Sequence, residues 1–381
     1  MRFFSTPRSY APVCAAALFF AVSTLSGCAN RLSTERGQQY HDGTFAQVLT
    51  PVTQVDSGAP YRNDAFDEQV QQVMQNSPRL AAQYGALYDH LQQWVASGHR
   101  LSQLPQFKIE TEQLAGKDNY GNVLFTGYFS PVIELRHQPD ATYKYPLYAM
   151  PNCSSNCPTR AEIYAGALDG QGLELGYSAS LIDNFLMEVQ GSGFVHYDND
   201  PTLHYLAYAG KNNHPYVAIG RRLIAWGEVP AEKMSLRAIK EWVDAHPDRA
   251  QSLMEENPSF VFFEQKNAHP VVGSAGIPLI AGASVAADRS IFPMGSVILA
   301  EVPLLLPDGT WSGYYQLKLM VALDTGGAVK NSHFDLYHGM GEQAGIDAGH
   351  YKHFGRVWKV SLAPSAETQI SQPDAASSSA D

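Results

Sequence analysis

Cysteine is scarce in this chain: 381 residues hold four, Cys14, Cys28, Cys153 and Cys157. Only Cys153 and Cys157 lie in the body of the sequence. Two cysteines do not make a four-ligand zinc site by themselves. Basic clusters are missing too. Lys and Arg number 26 against 37 Asp and Glu, for a net charge of −11. Phosphate binding needs clustered cations, so nucleic acid is excluded as the partner. No apolar run reaches the ~20 residues of a membrane-spanning helix. No internal repeat occurs. What remains is a sequence with 17% charged and 11% aromatic residues, a globular composition rather than a disordered one. The aromatic residues suit stacking on sugar rings and suit a β-rich core equally.

The N-terminus reads as an address. Arg2 and Arg8 precede a short apolar stretch, Ala15 to Val22, in the manner of a secretory signal. It ends in Leu25-Ser26-Gly27-Cys28, which resembles a bacterial lipoprotein box. Residues 1–27 are then a signal peptide, and Cys28 carries acyl chains (palmitate among them) that hold a soluble domain at a membrane surface. The other reading is an ordinary secretory signal with an incidental cysteine. Ala29 in place of Asp favours the outer membrane, with the domain facing the periplasm, by the sorting habit of such lipoproteins. In that oxidising compartment a local Cys153–Cys157 disulfide, stiffening a small loop, is expected.

Residues 28–60 read as a lipidated tether that grades into structure, and 366–381 as a disordered tail. The stretch between is long enough for two domains. Asp64 is a candidate cap for a helix with Phe66, Val70, Val73 and Met74 as its stripe. Ser77-Pro78 opens a second helix, with Leu80, Tyr84, Leu87, Leu91 and Trp94 on one face and Gly98 stopping it. A third follows Ser235 with Leu236, Ile239 and Val243 inward, and a fourth runs from Pro247 to near Asn257-Pro258. Strands are expected at Val123–Tyr128, Ile133–Leu135, Val217–Ile219, Phe260–Glu264, Ser296–Val302, Tyr314–Asp324, His333–Tyr337 and Val357–Leu362. Many short strands with few helices predict a mainly β fold, a β-barrel with helical decoration.

The chemistry concentrates near the C-terminus. The apolar run Leu319 to Leu323 delivers Asp324 into the turn Thr325-Gly326-Gly327, and a second short strand carries Asp335. Side chains alternate along a strand, so His333, Asp335 and Tyr337 share a face while Phe334 and Leu336 point the other way. A carboxyl set among rings is a candidate for a raised pKa, as acid-assisted cleavage of a sugar–sugar bond requires. Two further segments pair glycine with neutral hydrogen-bonding side chains suited to sugar hydroxyls: Thr126-Gly127-Tyr128 and Gln190-Gly191-Ser192-Gly193. The second is not the Gly-x-Ser-x-Gly elbow of serine hydrolases.

From about Thr126 to Leu362 the sequence resembles the membrane-bound lytic murein transglycosylases. The resemblance runs through Thr126-Gly127-Tyr128, Asp183-Asn184-Phe185, Gln190-Gly191-Ser192-Gly193 and Tyr208-Ala209-Gly210-Lys211-Asn212. It continues in Asn257-Pro258-Ser259-Phe260, Ala287-Asp288-Arg289-Ser290 and Leu319 through Asp335. The last part is similar to the wider three-aspartate family, whose name points to Asp288, Asp324 and Asp335. Asn331 stands where many relatives have Gly, and Asn tolerates a left-handed backbone.

The resemblance implies a double-psi β-barrel catalytic domain from residues 61–131 and 265–365, a smaller β-domain inserted at 132–264, and a glycan groove between them. It implies cleavage of the β-1,4 bond between N-acetylmuramic acid and N-acetylglucosamine without water, leaving a 1,6-anhydro end. Asp335 is then the acid and later the base. Asp324 supports its pKa, binds a sugar hydroxyl, or simply accepts backbone N–H bonds of its Gly-Gly turn. Asp288 orders a loop. Thr126, Tyr128, Gln190, Ser192, Gly193 and Gly326 are candidate substrate contacts. No metal or organic cofactor is expected. The partners implied are peptidoglycan strands, the outer membrane through the lipid, and cell-wall synthesis proteins. Two other readings fit the residues: an inverting hydrolase using Asp324 with Asp335, and a murein-binding lipoprotein without turnover.

Overall fold

In the computed structural model the described residues are 36–37, 40, 44–62, 65–153, 157–266 and 270–364. Cys28, Asp64, the leader and the 366–381 tail lie outside them.

Two sheets organise the chain. The first takes strands from both ends: β1 (Leu49–Val52), β2 (Ile109–Leu114) and β3 (Val123–Ser130) before the excursion. The second sheet holds β4 (Val132–Arg136), β5 (Tyr145–Tyr148), β6 (Glu174–Ser178), β7 (Gly193–Tyr197), β8 (His204–Lys211) and β9 (Val261–Lys266). The chain then returns to the first sheet with β10 (Ser284–Ala286), β11 (Val297–Leu305), β12 (Trp311–Asp324), β13 (His333–Met340), β14 (Lys352–Gly355) and β15 (Val357–Leu362). Only Pro131 separates β3 from β4.

The strand order β11-β12-β10-β13-β3-β14 curls into a nearly closed six-stranded barrel, with β1, β2 and β15 extending it beyond β11. Closure is made by β14 returning to β11. The Glu301 N–H donates to the Arg356 carbonyl, and a Cβ on Gly355 would sit 2.0 Å from the Glu301 carbonyl oxygen. A glycine is required for the two backbones to approach so closely. Arg356 also grips Glu301 through Nε and Nη2 at 2.8 and 2.9 Å. The parallel pairs β10/β12 and β13/β3 complete the double-psi arrangement expected from the resemblance.

Period-2 alternation divides the barrel strands. Phe125, Val285, Ile298, Met320, Ala322, Phe334 and Leu336 pack with one another. The opposite faces of β11 and β12, with Val297, Leu299, Leu319 and Val321, are covered by two helices. These are α1 (Phe66–Asn76) and α2 (Pro78–Ala96), placed as the sequence predicts. Ser77 accepts the Leu80 N–H as N-cap, and Gly98 ends the run with φ of 104°. Met74 is an exception to its stripe, being 43% exposed.

Several expectations change in the second sheet. Val217–Ile219 is not a strand. Ile219 starts a helix, and its apolar neighbours pack on Trp242 rather than on a sheet. The helices there are α3 (Arg160–Tyr164), α4 (Leu181–Gln190), α5 (Ile219–Ala225), α6 (Leu236–Ala245) and α7 (Ala250–Glu255). α6 follows its predicted Ser235 cap, though Leu236 and Ile239 are only half-buried. α7 begins at Ala250, not Pro247. A last helix, α8 (Glu342–His350), packs on β3 and β13. The stretch read as tether already contributes β1 and the buried Tyr40 and Val55. Cys153 and Cys157 are joined by a disulfide with Cα atoms 5.2 Å apart.

Candidate active site

Asp335 lies on β13 between β10 and β3, opposite Ala286 on one side and Thr126 on the other. Strand alternation sends its side chain to the face of His333, Tyr337, Thr126 and Tyr128, away from the barrel interior. The residue keeps partial solvent access, yet its carboxyl is surrounded by protein. Burial pushes it up to about 6; the Thr126 hydroxyl opposes the rise and the Asp324 carboxylate adds to it. Thr126 Oγ1 donates to Asp335 Oδ1 at 2.6 Å and is 2.8 Å from His333 Nε2.

Asp324 ends β12. A register shift between β10 and β12 at Val285/Ala286, with Leu323 the extra residue, sets Asp324 across from Ala286. Such an irregularity re-aims a side chain, and Asp324 thereby reaches the cluster around Asp335. Its Oδ1 accepts the Thr325 and Ser274 N–H groups at 2.8 and 2.9 Å, and its Oδ2 accepts the Tyr128 hydroxyl at 3.1 Å. Asp324 therefore accepts backbone N–H groups from its own turn and from Ser274 while standing near Asp335. Tyr128 packs on Tyr337 with ring centroids 5.2 Å apart. Burial and the two carboxylates drive the Tyr128 hydroxyl well above its usual pKa, so it stays a donor.

Asp288 has the loop role expected of it. It accepts the Ser290 N–H and hydroxyl and, across the loop, the Asn331 N–H at 2.9 Å. These bonds hold its carboxyl down at about 2. Asn331 is left-handed, with φ of 53°, so this position of the loop takes the backbone conformation without needing glycine.

A cleft of about 390 Å³ runs between the two sheets. Tyr128, Ser130 and Asp324 form its barrel wall; Gln190, Gly191, Ser192, Tyr205 and Tyr208 form the other, with Ser274 at one end. Tyr208 is 50% exposed. Gln190 is the last residue of α4, and Gly191 follows it with φ of 82°. Ser192 is thus held at a helix end. The other predicted contacts stand back from the wall. Thr126 is turned onto Asp335, Gly193 opens β7 beside Met187, and Gly326 packs on Val329 within its turn. A cavity of about 530 Å³ between α4, α6 and α8 contains neither aspartate. Among the described residues no group of three His, Cys, Asp or Glu is arranged to hold a metal ion. Sequence reasoning did not find Tyr205, Ser274 or the bonded role of His333. None carries a local signal, because each is brought in by pairing across the sheets.

A protonatable carboxyl beside a second carboxylate, next to a cleft walled by tyrosines and neutral hydrogen-bonding groups, is the equipment of a glycan-cleaving enzyme. Residues 124–264 match the MltA specific insert domain and residues 283–361 the 3D domain. The chain is 60% identical over 343 residues to membrane-bound lytic murein transglycosylase A of Vibrio cholerae, covering 90% of this chain and 93% of that one. It is 48% identical to the Escherichia coli protein of the same name, over 91% and 94% of the two chains. The crystal structure of E. coli MltA with bound chitohexaose superposes with a TM-score of 0.83, at 46% identity, over 87% of this chain and all of that one. The chain belongs to the membrane-bound lytic murein transglycosylase A family, and it is a lytic transglycosylase.

Proposed function

We propose that this enzyme cleaves the β-1,4 bond between N-acetylmuramic acid and N-acetylglucosamine in peptidoglycan, with Asp335 as both acid and base. The observation that carries the reading is the Asp335 carboxyl, lifted to about 6 by burial and by Asp324, beside Tyr128 and Asp324, which line a cleft of about 390 Å³ between the sheets. The protonated carboxyl gives its proton to the bridging oxygen as the C1–O4 bond breaks and C1 takes oxocarbenium character. The resulting carboxylate removes the proton from the muramoyl O6 hydroxyl, whose oxygen closes on C1. No water is consumed, the acid is regenerated, and the product is a 1,6-anhydro end. The Asp324 carboxylate, held by the Ser274 and Thr325 N–H groups and the Tyr128 hydroxyl, favours both the neutral acid and the cationic sugar.

Gln190, Ser192 and Tyr128 are assigned to sugar hydroxyl or N-acetyl groups along the cleft. Thr126, Gly193 and Gly326 support that surface from behind. The barrel halves 61–131 and 265–365 form the catalytic domain, with 132–264 as the insert. Acylation of Cys28 anchors the enzyme to the outer membrane, facing the periplasm. The membrane-bound naming of the relatives and the lipoprotein box support that placement.

Purified murein digested with wild type and with Asp335→Asn, followed by mass spectrometry of the muropeptides, tests the reading. Anhydro ends from wild type and none from the variant are expected. Free reducing ends would indicate the inverting hydrolase instead, and intact murein a binding protein.

A further inference from the structure

The hydroxyl of Thr126 has two claimants and one hydrogen. It lies 2.6 Å from Asp335 Oδ1 and 2.8 Å from His333 Nε2. The other ring nitrogen of His333 is 3.0 Å from the Ala328 carbonyl oxygen. A carbonyl only accepts, so Nδ1 carries a hydrogen and Nε2 of the neutral ring is bare. The ring is kept neutral by its surroundings: burial lowers its pKa, and Lys117 disfavours a further positive charge.

A bare Nε2 calls for the Thr126 hydrogen. When it receives that hydrogen, Thr126 turns a lone pair to Asp335, and the short contact is satisfied only if Asp335 carries the proton and donates it. When Asp335 ionises, Thr126 must swing its hydrogen to the carboxylate, and Nε2 loses its donor. The Thr126 hydroxyl contact to Asp335 and the His333 Nε2 contact are therefore both satisfied in the protonated-acid state, and Nε2 is left without its donor in the ionised state. We infer that His333, acting through the Thr126 hydroxyl, is a positioning residue that biases Asp335 toward holding its proton until the glycan takes it. This rests on the reading of Asp335 as the acid.

The other titratable groups around the pair are Asp324 and Tyr128 on the cleft wall, the buried Tyr337 packed on Tyr128, Lys117 near the His333 ring, and Lys352. Lys352 of β14 is paired opposite Thr126. Asp324 favours the neutral acid, and Lys117 disfavours a charge on the His333 ring. They are the same in every variant below, so shifts between variants report the hydrogen-bond chain.

The experiment is a set of pH–rate profiles, following release of anhydro ends from murein, for wild type and His333→Leu, His333→Gln, Thr126→Val, the Leu/Val double variant and Asp335→Asn. His333→Leu frees Thr126 to donate to the carboxylate at all times, so the high-pH limb should move down by about half to one pH unit. Thr126→Val removes that donor, so its limb should lie above that of His333→Leu. The double variant should follow Thr126→Val alone, because His333 acts only through the hydroxyl. His333→Gln, whose amide oxygen accepts, should restore the wild-type limb. Long-range 15N–1H correlation spectra should show His333 as the Nδ1–H tautomer. An unmoved limb in His333→Leu, a His333 effect that persists without the Thr126 hydroxyl, or an Nε2–H tautomer overturns the inference while leaving the acid assignment standing. Turnover by Asp335→Asn overturns both.

Discussion

Asp324 and Asp335 flank the same residue, Ala286, from opposite sides of β10. Adjacent strands lie about 4.8 Å apart, so the two main chains are separated by roughly 10 Å at one level of the barrel. The pair is therefore coupled through space but not through a shared proton. One carboxylate is tied by Ser274, Thr325 and Tyr128; the other has a single hydroxyl donor and rises in pKa. On the proposed mechanism, this asymmetry is what separates the acid from its supporting carboxylate.

Asp335→Asn should abolish turnover and stabilise the fold. Between 3.8 and about 6 the native state holds a proton that the unfolded chain has lost, so stability declines as pH rises through that window. At pH 7 the ionised carboxyl costs on the order of 1–3 kcal/mol, which the neutral amide avoids. Thermal melts at pH 4.5 and pH 7.5 check this: the variant should gain at the higher pH and be nearly neutral at the lower one. Equal effects at both values would mean that ionisation of Asp335 is not what the fold resists.

Asp324→Asn removes the like charge that lifts Asp335. In wild type, activity should fall with rising pH above about 6, as the acid deprotonates. In the variant that limb should begin lower, and the maximal rate should drop by at least tenfold, through lost stabilisation of the cationic sugar. A variant with a lower rate and an unchanged limb would leave Asp324 only its backbone role.

The strand carrying Asp335 was legible because alternation over His333–Tyr337 is a local pattern, and the Asp324 turn was legible from its glycines. The β10/β12 irregularity that aims Asp324 was not, since a register shift is a property of two strands and neither one's sequence encodes it alone. α8 escaped notice for a different reason. Glu342–His350 buries only Ala344 and Ala348, too few and too small to give a helical stripe. Val217–Ile219 misled because a β-branched apolar run of three fits either state, and packing on Trp242 decided for helix. Ser77-Pro78 and Ser235, by contrast, set helix starts through capping chemistry that acts within one turn.

Two glycines test how tightly the site is framed. At Gly355 an added Cβ meets the Glu301 carbonyl oxygen at 2.0 Å, and at Gly127 it meets the Ala348 backbone at 2.6 Å. Neither neighbour is a flexible side chain, so Gly355→Ala should open the barrel seam and Gly127→Ala should displace α8 from β3. Each should cost about 1–3 kcal/mol in urea denaturation. Gly127 lies between Thr126 and Tyr128, so its variant should also lower the rate. Gly170→Ala is a control for added bulk, because nothing lies within 4 Å of its Cβ position; its φ of 72° should leave only the ~1–2 kcal/mol cost of a left-handed alanine.

The wall of the cleft opposite the aspartates depends on a buried ion pair. Arg160 and Glu188 are 1% and 4% exposed, and Arg160 Nη2 meets Glu188 Oε2 at 2.6 Å. The guanidinium also donates to the Asn257 and Ser259 carbonyls and to the Tyr164 hydroxyl, and it stacks near Phe185 and Phe260. Arg160 thus ties α3, α4 and the entry to β9 together, and α4 ends at Gln190. Arg160→Met should cost about 3–5 kcal/mol, because it leaves Glu188 buried without its partner. Burial already pushes the Glu188 carboxyl up, and loss of the cation pushes it further. The native state of the variant then holds a proton that the unfolded chain releases, so its deficit should be larger at pH 8 than at pH 5. Arg160→Met with Glu188→Leu should recover much of the loss, since an apolar pair leaves no buried charge. Denaturation of wild type and the two variants at both pH values decides the matter: a deficit that ignores pH, or a double variant as weak as the single, would show that packing and the carbonyl bonds of Arg160, not its pairing with Glu188, hold this wall in place.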